Sequence, residues 1–380
     1  MMSMGKNRLN VRTGRSLLRD EGAAVREFLQ AVYQPDAQAV VFFCSSRYNL
    51  DILGAELAKS FDCPLIGCTS AGEISTGGYQ ERGIVGASLS SRELRIHRNI
   101  ISPLSRFSLT DAEKMAAAVR TNLSLVKGLD RKRMFGLILI DGLSLIEEAI
   151  VTSLYSSFEG ISIIGGSAGD DLEFHKTFVY DDGKFLSDAA VFSVFETTLP
   201  FLTFETQHFQ PTETKIVITG ADPARRIISE INGEPAAGEY ARVLGLEKDQ
   251  LSPAVFSEHP LLLRIGGVWY VRSIARVNDD GTLSLFSAIE EGLVLTIGKG
   301  VDIVRNLENH LSMLEEEIPG NRFYLLCDCI LRKLEFKSRD VVGEINGLLG
   351  RINAIGFSTY GEQYNSIHVN QTLTGIVIGG

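Results

Sequence analysis

Several features that mark common protein classes are scarce or missing in this chain of 380 residues. It has five cysteines and one tryptophan, and no apolar run is long enough to span a bilayer. Few cysteines, most of them in apolar surroundings, fit a reducing compartment. The basic N-terminus has no apolar stretch after it, so it is not a signal peptide. Together these absences predict a cytoplasmic protein that does not act at a membrane.

Basic residues are outnumbered by acidic ones, with 37 Lys and Arg against 47 Asp and Glu, which gives a net charge of −10. Nucleic-acid binding requires clustered Lys and Arg to neutralise phosphates, and no basic stripe occurs. A nucleic-acid partner is therefore excluded. A hydrophobic content of 44% and a charged content of 22% are typical of a soluble globular protein. This length suggests two or three domains.

Signature motifs of several chemistries are also absent. The sequence has no phosphate-binding G-x-x-x-x-G-K-[ST], no G-x-G-x-x-G, no H-E-x-x-H and no C-x-x-C-H. Cys327 and Cys329 are one residue too close for the usual zinc-binding pair, and their apolar neighbours favour buried thiols.

One catalytic pattern does occur, in "GGSAG" at residues 165–169, which fits the G-x-S-x-G nucleophile elbow with Ser167 as the nucleophile. The elbow needs a helix directly after the serine, and the sequence there indicates a turn and a strand. We therefore favour a tight turn and predict that the protein is not an enzyme.

The first half of the chain contains a repeat. Each copy predicts a strand, a helix and a strand, followed by a turn of small residues, which reads "GCTSAGE" in the first copy and "GGSAGDD" in the second. The strands are continuous apolar runs, as expected where both faces of a sheet are covered. The helices have apolar residues at helical spacing. The sequence thus predicts an α/β fold with duplicated strand-helix-strand units in the N-terminal half.

Outside the two copies of the repeat, the sequence predicts a further helix, a mixed C-terminal half and a domain boundary. Between the two copies, a helix with a capping box from Thr110 to Glu113 is expected. The C-terminal half predicts a mixed α+β unit with a β-hairpin around the turn "NDDG". We place the domain boundary within residues 210–218. The predicted divisions are an N-terminal extension at 1–24, an N-terminal domain at 25–214 and a C-terminal domain at 215–380.

The two turns of small residues are candidates for binding an anion or a small polar ligand, because they can expose backbone N–H groups. The candidate residues are Gly67, Cys68, Ser70, Gly165 and Ser167. If both turns line one cleft, these residues should come from neighbouring strands. The alternative is that Gly and Ser only permit tight turns between packed elements.

A stretch near the C-terminus, "GFSTYGEQYNSIHVNQT", places His368 among many hydrogen-bonding side chains. Asn370 shares its face of an extended segment. Glu362 or Gln363 could accept a hydrogen bond from the second ring nitrogen, as in many metal-binding histidines. The stretch predicts either a pocket wall in which His368 binds a ligand, or amides that tie the last strand to its neighbours.

Six segments together resemble the FIST family of prokaryotic sensory proteins. They are "LIGCTSAGEIS", "IIGGSAGDD", "INGEPAAGEY", "VRSIARVNDDGTLSLFSAIEEG", "CDCILRKLEF" and "GFSTYGEQYNSIHVNQTLTG". The resemblance covers about residues 25–377 and implies a two-domain FIST-like architecture. It also implies a signal-transduction sensor for small molecules such as amino acids.

A free-standing FIST protein also resembles the haem-binding, nitric-oxide-sensing branch of the family. That resemblance implies a haem cofactor, a gas ligand and control of a separate histidine kinase or cyclic-di-GMP enzyme. Haem iron commonly binds a neutral imidazole, so the candidate cofactor-binding residues are His368, then His259 and His208, with His368 as the metal ligand. Cys63 is a further candidate. The leading expectation is a haem-based nitric oxide sensor, and the alternative is a sensor of an amino acid or another small polar metabolite. A homo-oligomer is compatible with both.

Overall fold

Three copies of one structural unit make up most of the molecule. The computed structural model describes residues 9–380, and the first eight residues of the predicted N-terminal extension lie outside the described part. Each unit consists of an edge strand, a helix, a core strand, a second helical segment, a parallel core strand, a short hairpin and a returning strand. An insert interrupts the third unit after its edge strand.

The elements follow in chain order. Unit 1 contains β1 (Asn10–Ser16), α1 (Glu21–Val32), β2 (Ala39–Ser45), α2 (Leu50–Ser60), β3 (Leu65–Ser70), β4 (Glu73–Ser75), β5 (Gly78–Gln80) and β6 (Ile84–Ser90). Unit 2 contains β7 (Leu94–Ile101), α3 (Leu109–Asn122), β8 (Met134–Ile140), α4 (Glu147–Ser157), β9 (Ser162–Ser167), β10 (Val179–Asp181), β11 (Lys184–Leu186) and β12 (Ala190–Thr197). Unit 3 begins with β13 (Phe201–Thr206). The insert contains β14 (Phe209–Asp222), β15 (Ile227–Ile231), β16 (Glu234–Pro235), α5 (Ala236–Leu244), α6 (Pro253–Glu258), β17 (Leu261–Ile265), β18 (Val268–Arg272), β19 (Ile274–Val277), β20 (Leu283–Leu285) and β21 (Val294–Gly300). Unit 3 then resumes with α7 (Ile303–Glu317), β22 (Arg322–Cys329), α8 (Ile330–Ser338), α9 (Val342–Leu349), β23 (Ala354–Thr359), β24 (Glu362–Tyr364), β25 (Ile367–Val369) and β26 (Leu373–Gly379).

The three units exchange their hairpins in a cycle. Each unit forms a sheet from its four longer strands, in the orders β1-β6-β2-β3, β7-β12-β8-β9 and β13-β26-β22-β23. The hairpin of another unit then extends each sheet. Hairpin β10–β11 joins β3, hairpin β24–β25 joins β9, and hairpin β4–β5 joins β23. Over residues 9–380, none of these three sheets is therefore complete without a hairpin from another unit.

The apolar core strands reflect burial on both faces of each sheet. Strands β2 and β8 are buried throughout. One face of all three sheets fills a central core, in which the rings of Phe43 and Phe357 stack with centroids 4.2 Å apart. The other faces pack against helices, with α1 and α2 on unit 1, α3 and α4 on unit 2, and α7 to α9 on unit 3. The predicted α/β class and the strand-helix-strand units are confirmed, and a third unit adds to them.

Three local features differ from the sequence-based expectations. Helix α3 begins at Leu109, and its capping box joins Ser108 to Asp111 instead of Thr110 to Glu113. The predicted hairpin joins only the short strands β19 and β20, because β18 pairs with β17. Helix α8 follows β22 without a connecting loop and was not predicted.

The insert is an eight-stranded sheet with its own apolar core, which helices α5 and α6 share. Its first strand, β14, includes the segment 210–218 in which the sequence placed a domain boundary. Of the helices between residues 9 and 380, none combines the length and the apolar character needed to cross a bilayer.

Candidate functional site

The turns at the ends of β3, β9 and β23, one from each unit, contact one another. Each turn has a hydroxyl residue, then one variable residue, a glycine and an acid, in the segments 70–73, 167–170 and 359–362. The backbone hydrogen bonds between the turns and their strands are Ala71 N to Ser358 O (3.0 Å), Ser358 N to Gly72 O (2.7 Å), Ser167 N to Gly361 O (2.8 Å) and Gly169 N to Thr69 O (3.1 Å). We call this arrangement the turn ring.

Five of the predicted ligand-binding residues are buried, and they lie on strands of two different sheets, β3 and β9, instead of on neighbouring strands. These residues are Gly67, Cys68 and Ser70 in the sheet of unit 1, and Gly165 and Ser167 in the sheet of unit 2. A Cβ atom added to Gly165 would lie 1.9 Å from Ile138 O, and one added to Gly67 would lie 2.4 Å from the Phe42 ring. Glycine is therefore needed at both positions for close packing, and a ligand-binding role for the five residues stays a prediction.

Ser167 ends β9, and a loop follows it instead of a helix. Its Oγ accepts a hydrogen bond from Gln363 Nε2 at 3.0 Å, and its side chain is buried. A nucleophilic serine needs a general base within hydrogen-bond reach. This geometry fits the tight-turn interpretation of the G-x-S-x-G pattern.

The acids of the turn ring are buried, which sequence reasoning did not anticipate. Burial raises the pKa of Glu73 and of Glu362 to about 8. Asp170, their counterpart in unit 2, accepts backbone N–H bonds from three residues of the following loop, Phe174, His175 and Lys176. The third turn, "TYGE" at residues 359–362, ends in a glycine and an acid, as do "SAGE" at 70–73 and "SAGD" at 167–170. This shared ending is the sequence signal that indicates a third copy of the turn.

His368 is fully engaged in hydrogen bonds. Its side chain is buried, with Nε2 lying 3.2 Å from Phe286 O and Nδ1 lying 3.1 Å from Gln363 Nε2. Because Nε2–H donates to the carbonyl oxygen, Nδ1 accepts from the Gln363 amide. Burial lowers the pKa of His368, which favours the neutral ring. Gln363 therefore donates to His368, while Glu362 binds Thr372 Oγ1 at 2.7 Å.

The amides that follow His368 bind the insert. Asn370 Oδ1 accepts from Ser273 N at 3.5 Å, and Ser273 Oγ donates to Gln371 Oε1 at 2.8 Å. Gln371 Nε2 donates to Ser257 O at 2.7 Å. The amide-rich stretch thus holds the insert against unit 3.

The surroundings of His368 do not fit a haem group. Both ring nitrogens are occupied, and a Cβ atom added to Gly361 would lie 2.3 Å from the ring, so backbone closes the site. His208 is buried with Nε2 2.8 Å from Glu335 Oε1, and the partly exposed His259 follows α6, so the three histidines lie on different elements. Across residues 9–380, no three His, Cys, Asp or Glu side chains are grouped so that they could hold a metal ion.

Cys63, the further candidate, is half-buried beyond the end of α2. Burial raises the pKa of its thiol, which disfavours the thiolate that a metal would bind.

A groove borders the turn ring where the three units meet. Its volume is about 210 Å³, and we call it the junction groove. Its lining residues are Arg47, Ala71, Glu81 and Arg82 from unit 1, Asp171 and Leu172 from unit 2, and Ile330, Lys333, Leu334 and Lys337 from unit 3. The apolar members belong to a cluster that also contains Tyr360 of the turn ring. The groove therefore combines an apolar cluster with charged side chains.

Charges of both signs lie within the junction groove. Glu81 Oε1 lies 2.9 Å from Lys333 Nζ and 3.0 Å from Lys337 Nζ. Hydrogen bonds from these two lysines lower the pKa of Glu81 to about 2. On the unit 2 side, Arg47 Nε lies 3.2 Å from Asp171 Oδ2. A ligand with an anionic and a cationic group could therefore find a partner for each.

Three of the 13 residues other than glycine that have a positive φ within residues 9–380 lie in the groove. Arg82, Asp171 and Leu172 have φ values of 64°, 59° and 68°. Residues other than glycine rarely adopt this left-handed conformation, and such strain clusters at ligand-binding and switch regions. Two of the three units thus contribute strained backbone to the same groove.

Two family models match this chain in succession. The FIST N domain model matches residues 38–234, and the FIST C domain model matches residues 236–365. The chain belongs to the FIST family. FIST domains are sensory domains of signal transduction. The junction groove of this FIST protein lies between residues from both matched regions.

One curated relative of this FIST protein is an uncharacterized protein from Methanocaldococcus jannaschii. The two are 25% identical over 252 residues, which cover 57% of this chain and 48% of the relative. The chain thus spans about half the length of the curated relative it matches.

Proposed function

We propose that this FIST protein is a cytoplasmic sensor whose junction groove binds a small zwitterionic metabolite such as an amino acid. The observation that carries this proposal is the meeting of three units around one groove with paired charges and an apolar cluster. Ligand sites typically combine apolar walls with a few placed polar groups. Its volume of about 210 Å³ is below the range of about 300–1,000 Å³ for drug-sized ligands, which suits a small metabolite.

The charges of the groove suggest how such a ligand would bind. Lys333 and Lys337 lie on one face of α8 and can donate to a carboxylate. Asp171, which Arg47 holds in place, can accept from an ammonium group. The apolar side chains Leu172 and Leu334 would contact the hydrocarbon part of the ligand.

The output of the sensor would be a change in the balance between conformations. A ligand that bridges units 2 and 3 favours the arrangement in which these two units are closest. Because the units share hairpins, a shift at the groove reaches the sheets beyond it. We propose that a separate histidine kinase or cyclic-di-GMP enzyme reads this change by contact, as the family resemblance suggests.

A thermal-unfolding screen with amino acids and other small carboxylates tests this proposal. A ligand present at about 100 times its Kd stabilises the folded state by about 2.7 kcal/mol, which raises the melting temperature by several degrees. The shift should be smaller in Lys337→Ala. Lys114→Ala serves as the matched control, because Lys114 also pairs with an acid on an exposed helix face but lies outside the groove.

Two outcomes would contradict the proposal. One is that no ligand of this class stabilises the protein. The other is that Lys337→Ala responds to the ligand as fully as Lys114→Ala does.

A further inference from the structure

A single carboxylate oxygen in the junction groove serves two lysines. Glu81 Oε1 lies 2.9 Å from Lys333 Nζ and 3.0 Å from Lys337 Nζ. The side chain of Lys333 is only 7% exposed, and its Nζ also donates to Ala71 O at 3.1 Å. Glu81 itself is 47% exposed. A half-exposed acid thus neutralises a lysine that is otherwise closed off from water.

We propose that Glu81 occupies the place of the ligand's carboxylate, so that the ligand binds by displacing Glu81 from both lysines. This inference rests on the proposed function, and it narrows the ligand class to metabolites with a free carboxylate. It also makes Glu81 an internal competitor that sets the concentration at which the sensor responds.

The ligand's carboxylate and Glu81 would compete for the same two lysines, and three features favour the ligand. A buried ammonium group without an anionic partner is destabilising, so Lys333 favours binding of another carboxylate when Glu81 leaves. Glu81 is half-exposed, so water can solvate its carboxylate when it leaves the lysines, and this offsets part of the lost ion pair. A free carboxylate can present one oxygen to each lysine, whereas Glu81 presents the same oxygen to both.

Displacement of Glu81 would act on a connection between two sheets. Glu81 to Gly83 link β5, which lies in the sheet of unit 3, to β6, which lies in the sheet of unit 1. Within this link Arg82 has left-handed backbone, and Gly83 N donates to Glu73 Oε2 at 3.3 Å. Release of Glu81 would thus free a strained segment attached to the turn ring. The same event would signal that the groove is occupied.

The test is a titration of the wild-type protein and Glu81→Gln with glycine and with glycinamide, which lacks the carboxylate, at constant ionic strength. Glu81→Gln keeps the size of the side chain but removes its charge. We expect it to bind glycine at least about twofold more tightly than the wild type, because a surface ion pair sets the lower limit of the lost competition. Glycinamide should bind neither protein. Glu56→Gln is the control, because Glu56 pairs with Lys59 outside the groove.

The results distinguish failure of the proposed function, amino-acid binding in the groove, from failure of the proposed displacement of Glu81. If the wild type binds neither glycine nor any other amino acid, the proposed function fails and the role of Glu81 fails with it. If the wild type binds glycine and Glu81→Gln binds it equally or less tightly, only the displacement of Glu81 is wrong. Binding of glycinamide as tight as that of glycine would also overturn it. Glu81→Ala repeats the comparison with a shorter side chain.

Discussion

Nε2 of His368 and Nη1 of Arg226 donate to the same acceptor, the carbonyl oxygen of Phe286, at 3.2 Å and 2.7 Å. His368 belongs to unit 3, whereas Arg226 lies in the insert. Nη2 of Arg226 lies 2.6 Å from Glu147 and 2.5 Å from Glu148, both in α4 of unit 2. One arginine and one carbonyl group thus anchor the insert at the junction of units 2 and 3, and His368 completes this anchor.

Arg226→Met should loosen the insert, because it leaves the buried Glu147 without its partner. Removing one member of a buried ion pair typically costs about 3–5 kcal/mol. The free energy of unfolding in urea measures this loss, and hydrogen exchange should increase first in β15 and β20. Arg225→Met is the matched control, since Arg225 is the exposed neighbour. Equal stability of the two variants would contradict the anchoring role.

The buried acids of the turn ring should make stability depend on pH. Burial raises the pKa of Glu362 from its ordinary value of 4.5 to about 8 in the folded protein. Between these values the folded state binds more protons than the unfolded state, so the free energy of unfolding should fall as pH rises. Glu362→Gln mimics the protonated acid and should lose part of this slope between about pH 5 and pH 8. Urea unfolding across this range measures the slope.

Glu213→Gln provides the comparison for that experiment, because Glu213 is exposed on β14. A slope in Glu362→Gln as steep as in the Glu213→Gln control would show that Glu362 does not hold its proton in the folded protein.

Haem binding, which the resemblance to the nitric-oxide-sensing branch predicts, can be tested by absorption spectroscopy. Because both ring nitrogens of His368 are hydrogen-bonded, we expect protein expressed with a haem supply to show no Soret band that depends on this residue. A Soret band that moves with nitric oxide, and that disappears in a folded His368→Ala variant, would overturn the assignment of His368 to the insert anchor. Retention of such a band would transfer the test to His259.

The parts of the fold that could be predicted are those encoded by local patterns. The apolar strands β2 and β8 and the helices α2 and α4 show their burial in residue spacing alone. Unit 3 could not be predicted as a third repeat, because the insert separates its edge strand β13 from α7. Helix α8 has no side-chain cap at Cys329 and follows a strand directly, so the usual start signal is missing. The exchange of hairpins depends on contacts between distant segments.

The junction groove could not be predicted from the sequence either, because its residues are far apart along the chain. Arg47, Asp171 and Lys333 resemble ordinary surface charges in the sequence, and each lies in a different unit. Only the packing of the three units around the turn ring brings them into one groove. The glycine-rich turns were conspicuous in the sequence, but their small residues serve close packing at Gly67 and Gly165.

The most direct test of the central claim is hydrogen exchange of the wild-type protein with and without the amino acid that stabilises it best in the thermal screen. Binding in the junction groove predicts slower exchange at residues 330–337 and 171–174, because the ligand would bridge α8 of unit 3 and the loop of unit 2. Slower exchange confined to β25 and the insert strands around Phe286, with no change in α8, would contradict the account and move the sensory site to His368.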